Sequence, residues 1–428
     1  MRKEYLFTFV FGFLLLATGC VFTGEDRAAE GNGVTIHSST QATELISSYI
    51  AHLCTPEFSG RAIGSAGNDR ATEWIESILI GLDITLLNTE VPGISFSVDA
   101  PELLFSTMII TTDIGEQVTL EHGRDFFIAL SDGDVDFKLS NPDSSSVGFL
   151  DISQSNLIGT VDWDLIFLEA DHFRNNLTPN YREGVLVQLS SEAFGKMKAY
   201  SLLSVEIVNR VQYTPYVVRN IVGLIEGSNQ DKVVVLTAHF DGVGSAGSVV
   251  FPGGLDNASG VSALLYIAQE LKQVSVQSPF AFDIALGFCN AEEYGLRGSR
   301  GLAKVFNDRY KEVTVINLDC IGYVMDSSIA MGYCNSDQMK DNIVSLMSEH
   351  GIVYSGEDAL PGDHMSFVSY GNTALLLCSP GFGSNDIHST ASDENSVSAQ
   401  LVCRLSVPIR WGCSLVQVTV ISWPFILL

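Results

Sequence analysis

The apolar positions of the chain follow two different grammars. From Thr214 onward, short continuous apolar runs alternate with helical stripes. Val233 to Ala238 (Val-Val-Val-Leu-Thr-Ala) is the run expected of a strand covered on both faces. Ser259 to Val274 follows, with Val261, Leu264, Leu265, Ala268 and Leu271 on one helical stripe and Ser259 placed as its N-cap. Next come a strand at Phe282 to Phe288, a helix near Gly301 to Phe306, and a strand at Val313 to Leu318. A helix at Met339 to Glu349 and a strand at Ala374 to Leu377 close the series. This alternation predicts an α/β fold with a mixed, mainly parallel central sheet and helices on both faces.

Upstream the pattern changes. Ala42, Leu45, Ile46 and Ile50 mark a helix, Phe58 to Asn68 (FSGRAIGSAGN) a loop, and Ala71 to Ile80 a second amphipathic helix. Residues 91–213 carry short β-like stretches (Leu103 to Ile110, Ser146 to Ile152, Leu165 to Leu168, Val185 to Leu189) between Asp, Ser and Gly turns, as in a β-rich insertion or subdomain. The expected organisation is therefore an N-terminal part of the main domain (41–90), the insertion (91–213), a core (214–402) and an apolar tail (403–428) with Pro408 and Pro424. The tail's last 15 residues are too short and too Pro-broken to read as a membrane span.

The first 19 residues read as a secretory signal: Arg2 and Lys3, then an apolar run from Tyr5 to Leu16 that is too short to cross a bilayer. Small residues before Cys20 resemble a lipoprotein cleavage box, although Ala17 stands where Leu is usual. Export is expected, either as a lipoprotein attached to the membrane through lipidated Cys20 or as a secreted protein, with residues 20–40 as a tether. Export permits disulfides, but Cys289, Cys320 and Cys378 lie in or beside apolar runs and read as small buried residues.

Charge narrows the chemistry. Lys and Arg number 23 against 50 Asp and Glu, a formal charge of −27, which argues against a nucleic-acid partner. With 46% hydrophobic residues the chain has an ordinary core, and its carboxylates suit cations. Acidic or histidine clusters stand at or just beyond the carboxyl ends of the strands, where open α/β sheets place their sites. They are TAHFDG (His239, Asp241), GLDNASG (Asp256), CNAEEYG (Glu292, Glu293), INLDCIG (Asp319) and DIHST (His388). Singly each has an ordinary structural reading, as a satisfied histidine, a turn Asp or a solvated Glu pair. Together they would bury several carboxylates at a cost of several kcal/mol each without compensation. Metal ions remove that cost. Asp256, Glu292, Glu293 and Asp319 balance two divalent cations, and the nitrogen of His239 and His388 suits zinc.

The ordered set resembles the co-catalytic zinc aminopeptidase family, which also includes glutamate carboxypeptidases and glutaminyl cyclases. The resemblance covers about Thr214 to Ser396, with the Phe58 to Asn68 loop, the Val217 to Gly227 strand and GDHMSF (Gly362 to Phe367) in keeping. It implies a zinc-exopeptidase fold and two zinc ions per chain. Asp256 would bridge them, His239 and Asp319 would complete one site, and Glu293 and His388 the other. It also implies Glu292 as general base, with metal-activated water, and Asp241 as the carboxylate orienting His239. The substrate implied is a peptide with a free N-terminus. Alternatives within the resemblance are a glutaminyl cyclase, a glutamate-type carboxypeptidase and a non-catalytic binding ectodomain. Ser392 stands where relatives often carry Asp. Asp363, His364 and Arg61 read as structural or pocket residues.

Overall fold

A computed structural model describes residues 39–406, except 152–153, 155–156, 159, 178–183, 325–328, 350, 358–360 and 381–386. The expected export signal, Cys20, the expected tether up to residue 38 and the tail from residue 407 lie outside the described residues. Ser39 and Thr40, expected in the tether, already belong to the first helix, Ser39–Leu53. Residues 399–406 are helical, and Val402, Cys403 and Leu405 enter the main core, so the tail's first residues are packing residues. Among the described residues no helix is long and apolar enough to cross a membrane.

The continuous apolar runs form the middle of an eight-stranded sheet. Phe282–Cys289, Asn229–His239, Glu312–Leu318 and Thr373–Cys378 lie side by side and parallel. Ile221–Ile225 joins antiparallel at one side and Ile329–Cys334 antiparallel at the other. Alternation along Asn229–His239 shows why its run is unbroken. Val234, Leu236 and Ala238 enter one apolar layer, while Val233 and Val235 enter the other. The first layer is closed by helices Ser39–Leu53, Ala66–Gly81 and Ser259–Gln277, the second by Arg297–Arg309. Each large aliphatic side chain buried in this way contributes about 1.5–3 kcal/mol. The result is the mixed α/β sheet with helices on both faces.

Two details differ from the sequence reading. The strand expected across Val217 to Gly227 is broken at Asn220, whose side chain accepts from Asn290 N and donates to Gly298 O. Ser259 is the first residue of its helix and makes no side-chain cap there. Asn257 takes that place, its Oδ1 accepting from Gly260 N at 2.9 Å.

The β-rich insertion leaves and re-enters the core through two 18-residue strands, Ser95–Thr112 and Leu202–Arg219. They pair antiparallel from Ser95↔Arg219 to Thr112↔Leu202, so residues 214–219, expected in the core, belong to this ribbon. The ribbon is the centre of one four-stranded sheet. A second sheet holds Val147–Leu150, Leu165–Ala170 and Val185–Ser190 in parallel, and the two share a core that includes Ile110, Phe167 and Ile207. Phe127 and Phe173 of the insertion join Val243 and Phe251 of the α/β part in a separate cluster.

His122 packs against Phe126 and Phe127 there, and burial pushes its imidazole down to about 4. Its folded value lies below the unfolded 6.5. The associated stability is therefore complete above about pH 6.5 and is lost as pH falls toward 4. His122→Phe is expected to flatten the unfolding midpoint between pH 4 and 6.5. A variant that retains the wild-type pH slope would remove His122 from that role.

Candidate metal centre

Parallel register brings the strand ends to one edge. His239 pairs with Cys289, and Leu318 with Leu377, so the residues that follow emerge side by side. Asp319 N donates back to Leu377 O at 3.1 Å. His239 ends its strand, Glu292 and Glu293 follow Phe282–Cys289, and Asp319 follows Glu312–Leu318. Three residues at these turns hold left-handed backbone without being glycine: Ala291 (φ 61°), Cys320 (φ 50°) and His388 (φ 55°). Such conformations cost about 1–3 kcal/mol each and cluster at functional sites.

Asp256 sits at the centre. Its Oδ1 lies 3.0 Å from His239 Nε2 and its Oδ2 3.0 Å from His388 Nε2. His239 Nε2 also faces Asp319 Oδ1 at 3.5 Å, and His388 Nε2 faces Glu293 Oε2 at 3.0 Å. Donor atoms of His239, Asp256 and Asp319 fall within 4.8 Å of one another, as do those of Asp256, Glu293 and His388. A third such group, His239, Glu292 and Glu293, brings Glu292 into the same cluster.

Hydrogen bonds hold the set in place. Asp241 is fully buried, and its carboxylate accepts from Glu292 N at 3.0 Å and Glu293 N at 3.3 Å. His239 Nδ1 lies 3.3 Å from Asp241 O and 3.7 Å from its Oδ1, which leaves Nε2 facing the acids. Asn257 locks the Asp256 turn to the Asp319 turn, donating to Leu318 O and accepting from Cys320 N. Gly254 N donates to Ser392 O, so the place where relatives often have Asp serves here through its backbone.

Arg61 is buried beneath these turns, its guanidinium donating to Phe240 O, Leu53 O, Pro252 O and Gly253 O. Asn68 Nδ2 holds Arg61 O, and Asn68 and Asn290 exchange amide hydrogen bonds. Asn290 was not singled out from sequence. A polar residue closing the Phe282–Cys289 run beside the Glu pair was its visible signal.

The electrostatics suit cations. Burial opposes charge on His239, but Asp319, Asp241 and Asp256 outweigh it and hold the pKa well above the imidazole norm. His388 is raised in the same way, against burial, by Glu293 and Asp256. Burial is also the main force on Glu292 and Glu293, and it raises both carboxyls. Glu293 Oε1 is buried without a hydrogen-bond partner. Four acids, two imidazoles and an orphaned carboxylate oxygen fit divalent metal, and mixed nitrogen and oxygen donors fit zinc.

Beside the cluster lies a cavity of about 420 Å³, with Leu296, Pro361, Leu376, Ile387, Cys320 and Cys378 among its walls. Asp363 and His364 are buried nearby, outside that lining. Burial raises the Asp363 carboxyl to about 6 and lowers His364, packed against Tyr333, to about 4. The six cysteines among the described residues are free thiols.

The parallel-centred sheet, with histidines and carboxylates gathered on its carboxyl edge, is the α/β arrangement expected from the sequence. Residues 220–406 match Peptidase family M28. Aminopeptidase YwaD of Bacillus subtilis (strain 168) is 30% identical over 169 residues, 37% of this chain and 35% of the relative. The match thus spans about a third of that relative's length. A zinc aminopeptidase from Bacillus subtilis shares the fold, with a TM-score of 0.59, 17% identity and coverage of 86% of this chain and 94% of that one. So does an aminopeptidase from Aneurinibacillus sp. strain AM-1, with a TM-score of 0.57, 15% identity and coverage of 89% and 96%.

Proposed function

We propose that this chain is a zinc-dependent aminopeptidase that removes N-terminal residues from peptides at a two-metal centre. The observation that carries the reading is Asp256, whose two oxygens each lie 3.0 Å from a different imidazole nitrogen. A bridging carboxylate between two cations needs that disposition. His239 and Asp319 would complete one site, Glu293 and His388 the other. When bound, the ions supply Lewis-acid polarisation of the scissile carbonyl and make water more acidic.

The remaining work falls to side chains. Glu292 reaches the cluster without being needed in either triad, so its carboxylate is free to take a proton from the attacking water. It then returns that proton to the departing amine. Asp241 holds His239 and, through two backbone amides, fixes where Glu292 and Glu293 point. No Lys or Arg is among the residues that line the cavity, so among the described residues nothing there pairs with a substrate carboxylate.

The test is to incubate purified protein with free, N-acetylated and N-terminal Gln peptides and follow their masses. Stepwise loss of N-terminal residues from the free peptides alone is the expected result. Ammonia loss from the Gln peptide alone would mean a cyclase, and C-terminal trimming a carboxypeptidase. Intact peptides with zinc-loaded protein would overturn the enzymatic reading.

Asp256→Asn replaces one bridging oxygen with an N–H donor. Zinc content, read by elemental analysis, is expected to fall from two per chain toward zero. Full occupancy in that variant would sink the bridging role.

A further inference from the structure

The two imidazoles of the centre are oriented by different parts of the molecule. The ring of His239 is held by Asp241, two residues away on the same turn. The ring of His388 is held from the β-rich insertion: His388 Nδ1 lies 3.4 Å from Asn176 Oδ1, 212 positions distant. The backbone is held from the same place. Asn175 N donates to His388 O at 2.9 Å, and Thr390 N donates to Phe173 O at 3.0 Å. Arg174 and Ser389 form an antiparallel bridge between the two segments.

The insertion segment is itself built to stay put. Gln188, on strand Val185–Ser190, donates to Arg174 O and accepts from Arg174 N, both at 2.8 Å. Asn175 is fully buried; its Oδ1 accepts from Leu130 N and its Nδ2 donates to Val243 O, just beyond Asp241. Asn176 O accepts from Ser131 N. Phe173 stacks on Phe127, and Phe127 meets Phe251 edge-on. So the segment is fastened to both parts of the chain, and its Asn176 side chain reaches His388. A left-handed residue such as His388 needs surroundings of this kind to hold it.

We propose that Asn176 is a positioning residue for His388 and that the insertion thereby completes one half of the centre. Taking Nδ1–H on its amide oxygen would fix the tautomer whose Nε2 lone pair faces Asp256 and Glu293. The Glu293–His388 half would then depend on the insertion, while the His239–Asp319 half would not. This inference rests on the two-metal reading above.

The test is zinc titration of the metal-free full chain by calorimetry, with the wild type, Asn176→Ala and Asn176→Asp compared. The wild type is expected to bind two ions. Asn176→Ala should weaken one site by about 10- to 100-fold, the usual effect of removing a ligand's hydrogen-bond partner, and leave the other unchanged. Asn176→Asp, which keeps an acceptor oxygen, should restore the weakened site. Because Asn176 is only half-buried, its unfolding midpoint should stay near wild type, which separates orientation from general damage. Equal weakening of both sites, or two wild-type affinities in Asn176→Ala, would overturn the positioning role. A wild type that takes up no zinc would overturn the metal reading itself, and this role with it.

Discussion

Glu292→Gln is expected to keep both metals and to lose turnover by a factor of about 10²–10⁴. The substitution keeps the length of the side chain and replaces a proton acceptor with an amide. Glu292 lies outside both triads formed around Asp256, so metal affinity should be nearly unaffected. Its backbone N–H, held by Asp241 Oδ1, is untouched, so Glu293 should keep its place. At about 1.36 kcal/mol per tenfold, the loss corresponds to roughly 3–5 kcal/mol of transition-state stabilisation. It should fall on kcat with little change in KM, because proton transfer is felt in the transition state and not in ground-state binding. Zinc content and steady-state kinetics on one preparation decide the matter. Near-wild-type kcat at full occupancy would exclude Glu292 as the base, and loss of zinc would make it a ligand instead.

The residues of this centre were legible because the fold puts them at predictable places. A parallel strand ends where its apolar run ends, and His239, the Glu292–Glu293 pair and Asp319 each follow such a run. Asp256 was visible in the turn before a helical stripe, although Asn257 and not Ser259 receives the first helical N–H. The partners of these residues were far less visible. Asn176 sits in an insertion 212 residues before His388, and nothing in the local pattern of either segment refers to the other. The antiparallel strand Ile329–Cys334 was missed because its apolar residues are interrupted by Gly and Tyr. The insertion's boundary was misplaced by six residues because Val217, Val218 and Arg219 continue a two-stranded ribbon that has the same β composition as the core strand beyond it. Hydrophobic periodicity reports burial, and burial alone does not say which sheet a strand joins.

Arg61 shows the same limit from the side of stability, and its removal is expected to be the most damaging single change to the fold. Its guanidinium is the shared donor for four backbone carbonyls, from Leu53, Phe240, Pro252 and Gly253. Those carbonyls come from the end of the first helix, from between His239 and Asp241, and from the turn just before Asp256. Arg61→Ala would leave them buried without a donor, and each such group costs about 1–3 kcal/mol. Together with the space left behind, the total should exceed about 4 kcal/mol, beyond the range of ordinary substitutions. Burial works against the charge, yet Asp241, Asp256 and Glu293 favour it, so the same change removes the positive field beneath the acidic cluster. Losing that charge by itself favours a cation, so any fall in zinc uptake should come from the turns losing their anchor. Arg61→Lys keeps the charge but offers one nitrogen where the carbonyls need a planar fork, and it should recover only part of the loss. Thermal unfolding and zinc content of the two variants separate the contributions. A soluble Arg61→Ala protein with an unfolding midpoint within about 2 °C of wild type would show that the carbonyls find other donors. The loop around Arg61 would then be a spacer and not the clamp that fixes the turns of the acidic cluster.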